Sequence, residues 1–396
     1  MIDRYREAAP RGAMDFLVRL SEQVQGRRFV HVNSTRLGGG VAEILSRIVP
    51  LMRELGIDVE WSVIEGDADF FATTKAFHNA LQGTEQFLTE TMLEHYLEVN
   101  RANAERLRPE GDLVLVHDPQ PAAMLDARAP RGAWVWRCHI DLSDPQRQVW
   151  EFLRRYVARY DAAVFSLRAG AQPLPIPQFI VPPSIDPLSD KNRPLTGCEI
   201  ATVLRKLNVP NDKPLLLQVS RFDRFKDPVG VINTYRLVKR YHDVRLVLAG
   251  GGAADDPESA QVLAEVREAA GRDPDIFVLD LPADSHLTIN ALQRAATIVL
   301  QKSTREGFGL TVAEALWKGK PVIGGATGGI TLQIIDGVTG YTVKSVEGAA
   351  YWIRHLLSHP ALARAMGEAG REHVRQNFLI TRHLRDYIAL LARLTR

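Results

Sequence analysis

Two blocks of alternating strand-like and helix-like segments, separated by a proline-rich stretch, constrain the fold of this chain more than any other feature. In the first block, runs of β-branched and aromatic residues predict strands at 27–33, 58–66, 112–118, 133–141, 161–167 and 178–184. Apolar residues at helical spacing follow the first of these runs, over 41–56, and Gly56 suits the end of that helix. Strands that alternate with helices predict parallel βαβ units.

The same pattern restarts in the second half of the chain. It predicts strands at 213–222, 244–251, 275–281, 297–303, 321–325 and 340–345, and helices near 228–241, 257–270, 286–295, 311–319, 347–358, 361–377 and 381–394. Seven of the 22 prolines fall within 173–194, and their fixed φ and missing amide donors suit a linker with one short edge strand. The sequence therefore predicts an α/β protein with two doubly wound, Rossmann-like domains that face a cleft.

Composition narrows the class of protein further. The 396 residues are 45% hydrophobic and 24% charged, which is enough apolar material for two cores. Lys and Arg total 49 against 47 Asp and Glu, so net charge gives no reason to expect nucleic acid or an acidic membrane as partner. Cys138 and Cys198 are too few for a disulfide scaffold or a four-cysteine metal site. With no signal-peptide-like N-terminus and no run of about 18 apolar residues, we expect a cytoplasmic protein.

Glycines follow the first predicted strand. Gly38, Gly39 and Gly40 stand between that strand and a helix, where the backbone approaches a ligand closely and a helix N-terminus attracts phosphate. The segment is neither a P-loop nor a dinucleotide fingerprint. A tight turn without ligand remains the alternative.

Two cations follow the strand that opens the second block. Arg221 and Lys226 are five residues apart at its carboxyl end. A guanidinium fork and an ammonium point charge at such a place are able to converge on one diphosphate. The alternative is a solvated basic loop.

Two carboxylates lie eight residues apart further along. Glu306 falls in a loop and Glu314 in the first turns of a predicted helix that begins near Leu310. The intervening Gly307-Phe308-Gly309 places backbone amides and the positive end of the helix dipole beside the loop. One carboxylate then suits the hydroxyls of a transferred sugar and the other suits those of a ribose. An acidic helix start explains a single glutamate but not this insert.

Histidines end two strands of the first block. His139 follows the strand at 133–141, and His117 precedes Asp118 and Gln120 at the end of another. A histidine at a strand end is able to hydrogen-bond a substrate or a transition state, although a packed, satisfied histidine is the open alternative. Asp-x-Asp pairs such as that at 67–69 are no more frequent in the chain than chance predicts, so this pair does not indicate a metal site. The glycines at 250–252 with Asp255 and Asp256 favour a plain strand-to-helix turn, with contact to a ligand as the open alternative.

Together these residues resemble the retaining glycosyltransferases of the two-Rossmann (GT-B) fold. More narrowly, the chain resembles the trehalose glycosyltransferring synthases over nearly its whole length. The stretches that carry the narrower resemblance are FVHVNSTRLGGGVAEIL (29–45), FHNALQG (77–83), VLVHDPQPAA (114–123), WRCHIDLS (136–143), PPSIDPLSDKN (182–192), QVSRFD (218–223) and REGFGLTVAEALWKGKPVIG (305–324). The glycine-rich 249–252 departs from the family and leaves the donor base open.

The resemblance implies a role for each matching position. Residues 1–190 would form the acceptor domain, joined by the last helix at about 378–396, and residues 191–377 the nucleotide-sugar donor domain. His139, Glu306, Arg221 and Lys226 would act in catalysis. The donor site would comprise Gly39, Gly40, Arg221, Lys226, Glu306, Gly307, Phe308, Gly309, Leu310 and Glu314, with Glu314 on the ribose. The acceptor glucose would contact Glu65, Asp118, Gln120 and Asp141.

The implied reaction is a reversible, retaining glucosyl transfer. It would make α,α-trehalose from UDP- or ADP-glucose and free glucose. No tightly bound cofactor is expected, with Mg²⁺ at most a counter-ion of the diphosphate, and a homodimer is one open oligomeric state. The alternatives are a retaining trehalose phosphorylase-like enzyme that uses glucose 1-phosphate, a transferase with another small acceptor, and a non-catalytic regulator that binds nucleotide-sugar.

Overall fold

The chain folds as two compact units in a computed structural model that describes residues 2–36, 39–128, 130–251, 257–282 and 284–395. The N-terminal unit comprises Met1–Ser184 together with Ile380–Arg396, and the C-terminal unit is Ile185–Leu379. The expected domain borders, after 190 and after 377, lie close to these positions. The glycine at 38 and the segment with Gly252, Asp255 and Asp256 lie outside the described residues.

The N-terminal unit is built on a parallel sheet. Among its described residues the strand order is β2-β1-β3-β4-β5-β6, with all pairs parallel. The strands are β1 (Arg28–Asn33), β2 (Asp58–Val63), β3 (Leu113–His117), β4 (Ala133–Cys138), β5 (Ala162–Phe165) and β6 (Gln178–Ile180). The helices are α1 (Ala13–Glu22), α2 (Gly39–Glu54), α3 (Ala68–Leu81), α4 (Glu90–Leu107), α5 (Arg147–Val157) and α14 (Ile380–Leu394), with 3₁₀ turns at Ile2–Tyr5 and Ala122–Ala127.

Burial explains why these segments form the N-terminal core. Every residue of β3 is buried, as expected for a parallel strand covered on both faces. In α5, Val149, Leu153 and Val157 recur at helical spacing and are buried in the same core. The helix α14 packs against α1 and α2, and its buried face includes Leu384 and Tyr387. The end of the chain therefore belongs to the N-terminal unit.

The C-terminal unit repeats the architecture. In the part of it that the structure describes, the strand order is β12-β11-β10-β7-β8-β9, again parallel throughout. The strands are β7 (Leu215–Val219), β8 (Arg245–Gly250), β9 (Ile276–Asp280), β10 (Ile298–Gln301), β11 (Val322–Gly325) and β12 (Gly340–Val343). The helices are α6 (Gly197–Lys206), α7 (Pro228–Lys239), α8 (Pro257–Ala270), α9 (His286–Ala295), α10 (Leu310–Trp317), α11 (Ile330–Gln333), α12 (Val346–Ser358) and α13 (Pro360–Asn377), with a 3₁₀ turn at Arg224–Lys226.

Each sheet has one point where the chain reverses its direction of winding. In the N-terminal unit the chain runs outward from β1 to β2 and then returns to place β3 on the other side of β1. In the C-terminal unit β10 returns to the free side of β7 in the same way. Ligands of open parallel sheets bind beyond the carboxyl ends of the strands at such switch points. The pairs β1/β3 and β7/β10 therefore mark where a site is expected in each unit.

The prediction of two doubly wound, parallel-sheet domains is confirmed, and each of the twelve predicted strands is present. The proline-rich 173–194 contains one short strand, β6, at the edge of its sheet, as predicted. The pattern did not assign α1, α3, α4, α5, α6 or α11. In α4 the apolar periodicity is weak because buried Asn100 and Asn103 occupy core-facing positions.

Candidate functional site

The C-terminal unit brings Lys226 and Glu306 together at the switch point of β7 and β10. Lys226 follows β7, Glu306 follows β10, and the ammonium Nζ lies 2.7 Å from Glu306 Oε2. Two neutral donors of β10 and the loop after it also point at this oxygen: Ser303 Oγ at 3.2 Å and Gln301 Nε2 at 3.4 Å. Both charged side chains are mostly buried, with 16% and 11% exposed. The ion pair of Lys226 and Glu306 is therefore held in a fixed geometry, with little exposure to solvent.

Arg221 stands more open than Lys226. Its side chain is 53% exposed and its Nη2 lies 3.4 Å from Asp223 Oδ2. Asp223 also accepts the backbone N–H of Phe225 at 2.7 Å and so caps the 3₁₀ turn that carries Lys226. The two predicted cations thus follow the same strand, with the capping aspartate between them in sequence.

A second ion pair near the same strand ends was missed by the sequence reasoning. Lys302, directly after β10, pairs with Asp227. Asp227 has a positive φ of 48° and its side chain accepts the amide of Gly230 at the start of α7. Neither residue belongs to a recognisable motif. The only signal was their position at the ends of strand and turn.

The loop from Glu306 to α10 is fixed by its backbone. Gly309 has φ 82°, a conformation that favours glycine, and precedes the first residue of α10, Leu310. Gln333 of α11, also missed, donates from Nε2 to the carbonyl oxygens of Phe308 at 2.5 Å and Gly309 at 3.3 Å. A Cβ at Gly328 would lie 1.7 Å from the carbonyl oxygen of Glu306. Because these carbonyls are held, the opening amides of α10 keep their direction. The Val312 amide donates to the Gly309 carbonyl at 2.9 Å, whereas the first amides of a helix generally have no acceptor within it.

Glu314 lies inside α10 with only 2% of its surface exposed. Its Oε1 is 3.6 Å from Lys191 Nζ, whereas its Oε2 has no hydrogen-bond partner among the residues that the structure describes. Lys318, one turn later, donates to the Glu314 carbonyl at 3.2 Å and to Asn192 Oδ1 at 2.9 Å. Burial lowers the pKa of Lys318 to about 7. A buried acceptor oxygen without a donor costs free energy, and a hydroxyl donor at this position would remove that cost.

The N-terminal unit gathers histidines at its own switch point. His31 lies in β1, His117 ends β3 and His139 follows β4. His31 Nδ1 is 3.0 Å from His117 Nε2, and His117 Nδ1 is 3.0 Å from His139 Nε2. His31 and His117 are buried and His139 is partly buried. Of the three, His31 was not predicted as a site residue, because it lies inside a strand rather than at its end.

These imidazoles are uncharged near neutral pH. Burial lowers the pKa of His31 to about 3. Burial is the main cause that lowers the pKa of both His117 and His139 well below the ordinary value, with neighbouring histidines and Arg137 acting in the same direction. Each neutral imidazole carries one N–H donor and one acceptor nitrogen.

Asp118 ties His139 to the end of β3. It adopts φ 65°, and its Oδ1 accepts the backbone N–H of His139 at 2.7 Å. Its carbonyl oxygen accepts the indole N–H of Trp136 at 3.0 Å. Burial raises the pKa of the Asp118 carboxyl to about 6. Asp118 and His139 are therefore brought together as predicted site residues, with Asp118 holding the backbone.

The other predicted residues of this unit are placed separately. Gly39 and Gly40 open α2, after β1. Glu65 is mostly exposed and lies 3.3 Å from Arg106 Nη1. Asp141 Oδ1 accepts the amide of Ser143 at 2.9 Å. Gln120 Oε1 is buried without a hydrogen-bond partner in the described part of the chain.

Two further searches bear on ligands and surroundings. Within residues 2–36, 39–128, 130–251, 257–282 and 284–395, no group of three or more His, Cys, Asp and Glu side chains has an arrangement that could hold a metal ion. Over the same residues, no helix is both long and apolar enough to span a membrane.

Known protein families match both units of the chain. A family model described as "Trehalose synthase, N-terminal domain" matches residues 31–172, and one described as "Glycosyl transferases group 1" matches residues 200–373. The chain is similar to a trehalose synthase of Pyrococcus horikoshii, at 50% identity over 94% of this chain and 91% of the relative. It is also similar to a trehalose phosphorylase of Pleurotus pulmonarius, at 28% identity over 94% of this chain and 58% of the relative.

Solved structures agree on the fold. A UDP-forming α,α-trehalose-phosphate synthase of Burkholderia xenovorans, in complex with glucose-6-phosphate, superposes with a TM-score of 0.74 at 16% identity, over 92% of this chain and 100% of that chain. At such low identity the similarity concerns the GT-B fold alone.

Proposed function

This chain belongs to the trehalose synthase family of GT-B glycosyltransferases, and from that premise we propose that it makes α,α-trehalose by transferring glucose from a nucleotide-glucose to free glucose with retention of configuration. UDP-glucose and ADP-glucose are the proposed donors. The observation that carries the choice of a nucleotide donor is the buried Oε2 of Glu314, which has no hydrogen-bond partner among the described residues of the C-terminal unit.

The proposed diphosphate site is the cationic end of β7. Lys226, held by Glu306 at 2.7 Å, and the open guanidinium of Arg221 supply two positive charges after one strand. The first amides of α10 add donors and the positive end of a helix dipole. These groups are arranged before substrate arrives, which is the condition under which they stabilise a leaving diphosphate most.

A ribose is the group that best fits Glu314. A carboxylate accepts hydrogen bonds from adjacent hydroxyls, and the buried Oε2 lacks a donor in the described structure. Inorganic phosphate would bring a second negative charge toward this carboxylate instead. A hydrogen bond between the Glu314 carboxylate and ribose hydroxyls therefore favours a nucleoside diphosphate donor over glucose 1-phosphate.

The proposed chemistry needs no side-chain base. Cleavage of the bond between sugar and phosphate produces an oxocarbenium-like carbon, and Arg221 and Lys226 balance the charge that develops on the diphosphate. If glucose attacks from the face that the diphosphate leaves, a phosphate oxygen takes the proton of the attacking hydroxyl and the configuration is retained. Glu306 binds hydroxyls of the transferred glucose, and His139 hydrogen-bonds the same sugar.

The acceptor glucose is assigned to residues of the N-terminal unit. Glu65, Asp118, Gln120 and Asp141 are the proposed contacts. The buried acceptor Oε1 of Gln120 supports its place in this set. Mg²⁺ is proposed only as a counter-ion that the diphosphate itself carries. A cytoplasmic location and a homodimer stay predictions.

One assay tests the reaction. Purified protein is incubated with glucose and, separately, UDP-, ADP- or GDP-glucose or glucose 1-phosphate, and NMR follows the new anomeric signal. Trehalose formed from a nucleotide-glucose, with both anomeric centres α, is the expected result. Turnover only with glucose 1-phosphate would instead establish a phosphorylase, the second candidate, which the similarity to the Pleurotus enzyme keeps in view. Donor consumption only with another acceptor would overturn the assignment of glucose as acceptor.

A further inference from the structure

Three imidazoles of the N-terminal unit form a chain of nitrogen-to-nitrogen contacts. The two links, His31 Nδ1 to His117 Nε2 and His117 Nδ1 to His139 Nε2, are both 3.0 Å. A hydrogen bond between two nitrogens needs one N–H and one lone pair. The position of the proton on one ring therefore dictates its position on the next.

Only two arrangements satisfy both links. The rings are neutral, because burial and nearby Arg137 disfavour the charged form of His117 and His139 and burial disfavours that of His31. Either every ring carries its proton on Nδ1, and the chain donates from His31 towards His139, or every ring carries it on Nε2, and the chain donates in the opposite direction. In the first arrangement His139 keeps an Nδ1–H that does not point at His117, and in the second it keeps a lone pair there.

The buried end of the chain decides between them. His31 is fully buried, stacks on Phe29 at a centroid distance of 4.4 Å, and has no partner for Nε2 among the residues that the structure describes. The second arrangement would leave an N–H donor unpaired at this buried position, whereas the first leaves a lone pair. Among buried backbone groups, orphaned N–H donors are rarer than under-satisfied acceptors, and we apply the same order to this imidazole. His139, by contrast, is partly exposed, so either form of its Nδ1 can be satisfied.

We propose that His31 and His117 are positioning residues that hold His139 as its Nδ1–H tautomer, so that His139 presents a neutral hydrogen-bond donor, not a base, beyond the carboxyl end of β4. The group it addresses is an oxygen acceptor of the bound sugar. That last clause rests on the proposed function, whereas the tautomer does not. Backbone contacts support the arrangement, because Asp118 holds the His139 amide at 2.7 Å.

The tautomer is measured directly in the ligand-free, full-length chain. Histidine side chains are labelled with ¹⁵N, and long-range ¹H–¹⁵N correlation spectra distinguish protonated from unprotonated ring nitrogens. Couplings across the N–H···N bonds assign the three rings to one chain. We expect a protonated Nδ1 and an unprotonated Nε2 on His31, His117 and His139. A free neutral histidine prefers the Nε2–H form. A protonated Nε2 on His139 would therefore show that His31 and His117 do not set its tautomer, and would overturn the proposal.

Two variants separate positioning from packing. His117→Phe removes both links while keeping a ring of similar size, and His139 is then expected to shift towards the Nε2–H form. Phe29→Leu removes the stacking partner of His31 without touching either link, and is expected to leave the Nδ1–H pattern unchanged. If His139 keeps a pure Nδ1–H form in His117→Phe, the proposal fails. If His117→Phe does not fold, the wild-type spectrum still decides.

The same sample distinguishes this proposal from the proposed reaction. A preserved Nδ1–H pattern in a protein that turns over no nucleotide-glucose would refute the donor assignment and leave the imidazole chain standing. Turnover in a protein whose His139 carries its proton on Nε2 would do the reverse.

Discussion

The two units share one topology but put opposite chemistry at their switch points. Beside β1 and β3, the N-terminal unit holds three neutral imidazoles linked by nitrogen-to-nitrogen contacts. Beside β7 and β10, the ion pairs of the C-terminal unit include Lys226 with Glu306 and Lys302 with Asp227. In the proposed function, the topology of each sheet sets where its ligand binds, and the side chains at the strand ends set which ligand that is.

This difference bears on what each unit is able to bind. Neutral donors and acceptors exchange hydrogen bonds with hydroxyl groups at little electrostatic cost, which suits a sugar. Preformed cations held by carboxylates suit a diphosphate, whose charge they balance. If this assignment is right, removing one of these groups at a time should impair the binding of one kind of ligand and leave the other unaffected.

Loss of the Lys226 ammonium is expected to have the largest effect. Lys226→Met keeps most of the side-chain volume but leaves Glu306, within the part of the chain that the structure describes, with its hydrogen bonds from Ser303 and Gln301. We expect kcat for glucosyl transfer to fall by about 10²–10³-fold, the range for losing one donor to developing negative charge. Steady-state kinetics with nucleotide-glucose measure it.

A neighbouring cation provides the matched control. Arg224 lies in the same 3₁₀ turn but pairs with Glu265 at 2.7 Å. Arg224→Met is expected to keep kcat within about 3-fold, which corresponds to the small free energy of a surface ion pair. Equal losses in both variants would mean that overall charge, and not the position beside Glu306, matters. A fully active Arg221→Ala would contradict the assignment of the diphosphate to this loop.

The next effect concerns the choice between nucleotide and phosphate. Glu314→Gln keeps the size of the side chain and removes its charge. If Glu314 accepts ribose hydroxyls, KM for nucleotide-glucose should rise by about 10–100-fold, equivalent to losing charged hydrogen bonds of about 1.5–3 kcal/mol. Exposed Glu368, changed to Gln, is the control for net charge. An unchanged KM for nucleotide-glucose would remove the argument against the phosphorylase.

The sequence predicted much of both clusters because their residues follow strands in recognisable order. Arg221, Lys226 and Glu306 were identified from motifs, and the structure brings Lys226 and Glu306 within hydrogen-bond distance. His31 was missed because a histidine inside a hydrophobic strand is indistinguishable from a packed core residue. Gln333 and the pair of Lys302 with Asp227 were missed for a related reason: they contact the loops only through the fold, and no local spacing relates them.

Disturbing the backbone that supports the Glu306 loop is expected to have a smaller effect than removing the charged side chains. Gly328→Ala places a Cβ 1.7 Å from the Glu306 carbonyl oxygen, at a φ of 44°. Gly337→Ala meets nothing within 4 Å at a φ of 75°, and so reports the strain of positive φ alone. We expect Gly328→Ala to lower the free energy of unfolding by about 1–3 kcal/mol more than Gly337→Ala, with a parallel loss of kcat. Denaturant unfolding of the two variants compares them, and equal stability would show that the loop yields.

Acid should destabilise the two units over different pH ranges. In the folded chain the pKa of His31 is about 3, against 6.5 for the ordinary side chain. Between these values the unfolded chain binds a proton that the folded chain refuses, so the free energy of unfolding falls as pH drops below 6.5. His117 and His139 act in the same direction. Asp118 opposes them between 3.8 and about 6, because its raised pKa makes the folded chain bind the extra proton. The destabilising contribution of the three imidazoles is expected to exceed the stabilising contribution of the one carboxyl group.

Among the described histidines of the C-terminal unit, burial lowers the pKa of His373 alone, and the carboxylate of Asp275 responds in a more acidic window. The hydrogen bond from Lys239 lowers the pKa of Asp275 to about 2 from 3.8, so the stability that this group contributes is lost only as pH falls from about 4 towards 2. Hydrogen exchange of peptides from β1, β3 and β4 should therefore accelerate between pH 6.5 and 4.5, before that of peptides from β7 and β10. Simultaneous opening of both units would break the contrast.

His31→Phe sharpens this test to a single proton. The variant loses the link to His117 but no longer carries an imidazole that the unfolded chain protonates. Its free energy of unfolding should fall less steeply below pH 6.5, by about 1.4 kcal/mol per pH unit. Phe29→Leu, which alters packing against the same ring, should keep the wild-type slope while lowering stability at every pH. If His31→Phe also keeps that slope, His31 is protonated in the folded chain, and the neutral character of the N-terminal cluster, on which the contrast depends, is lost.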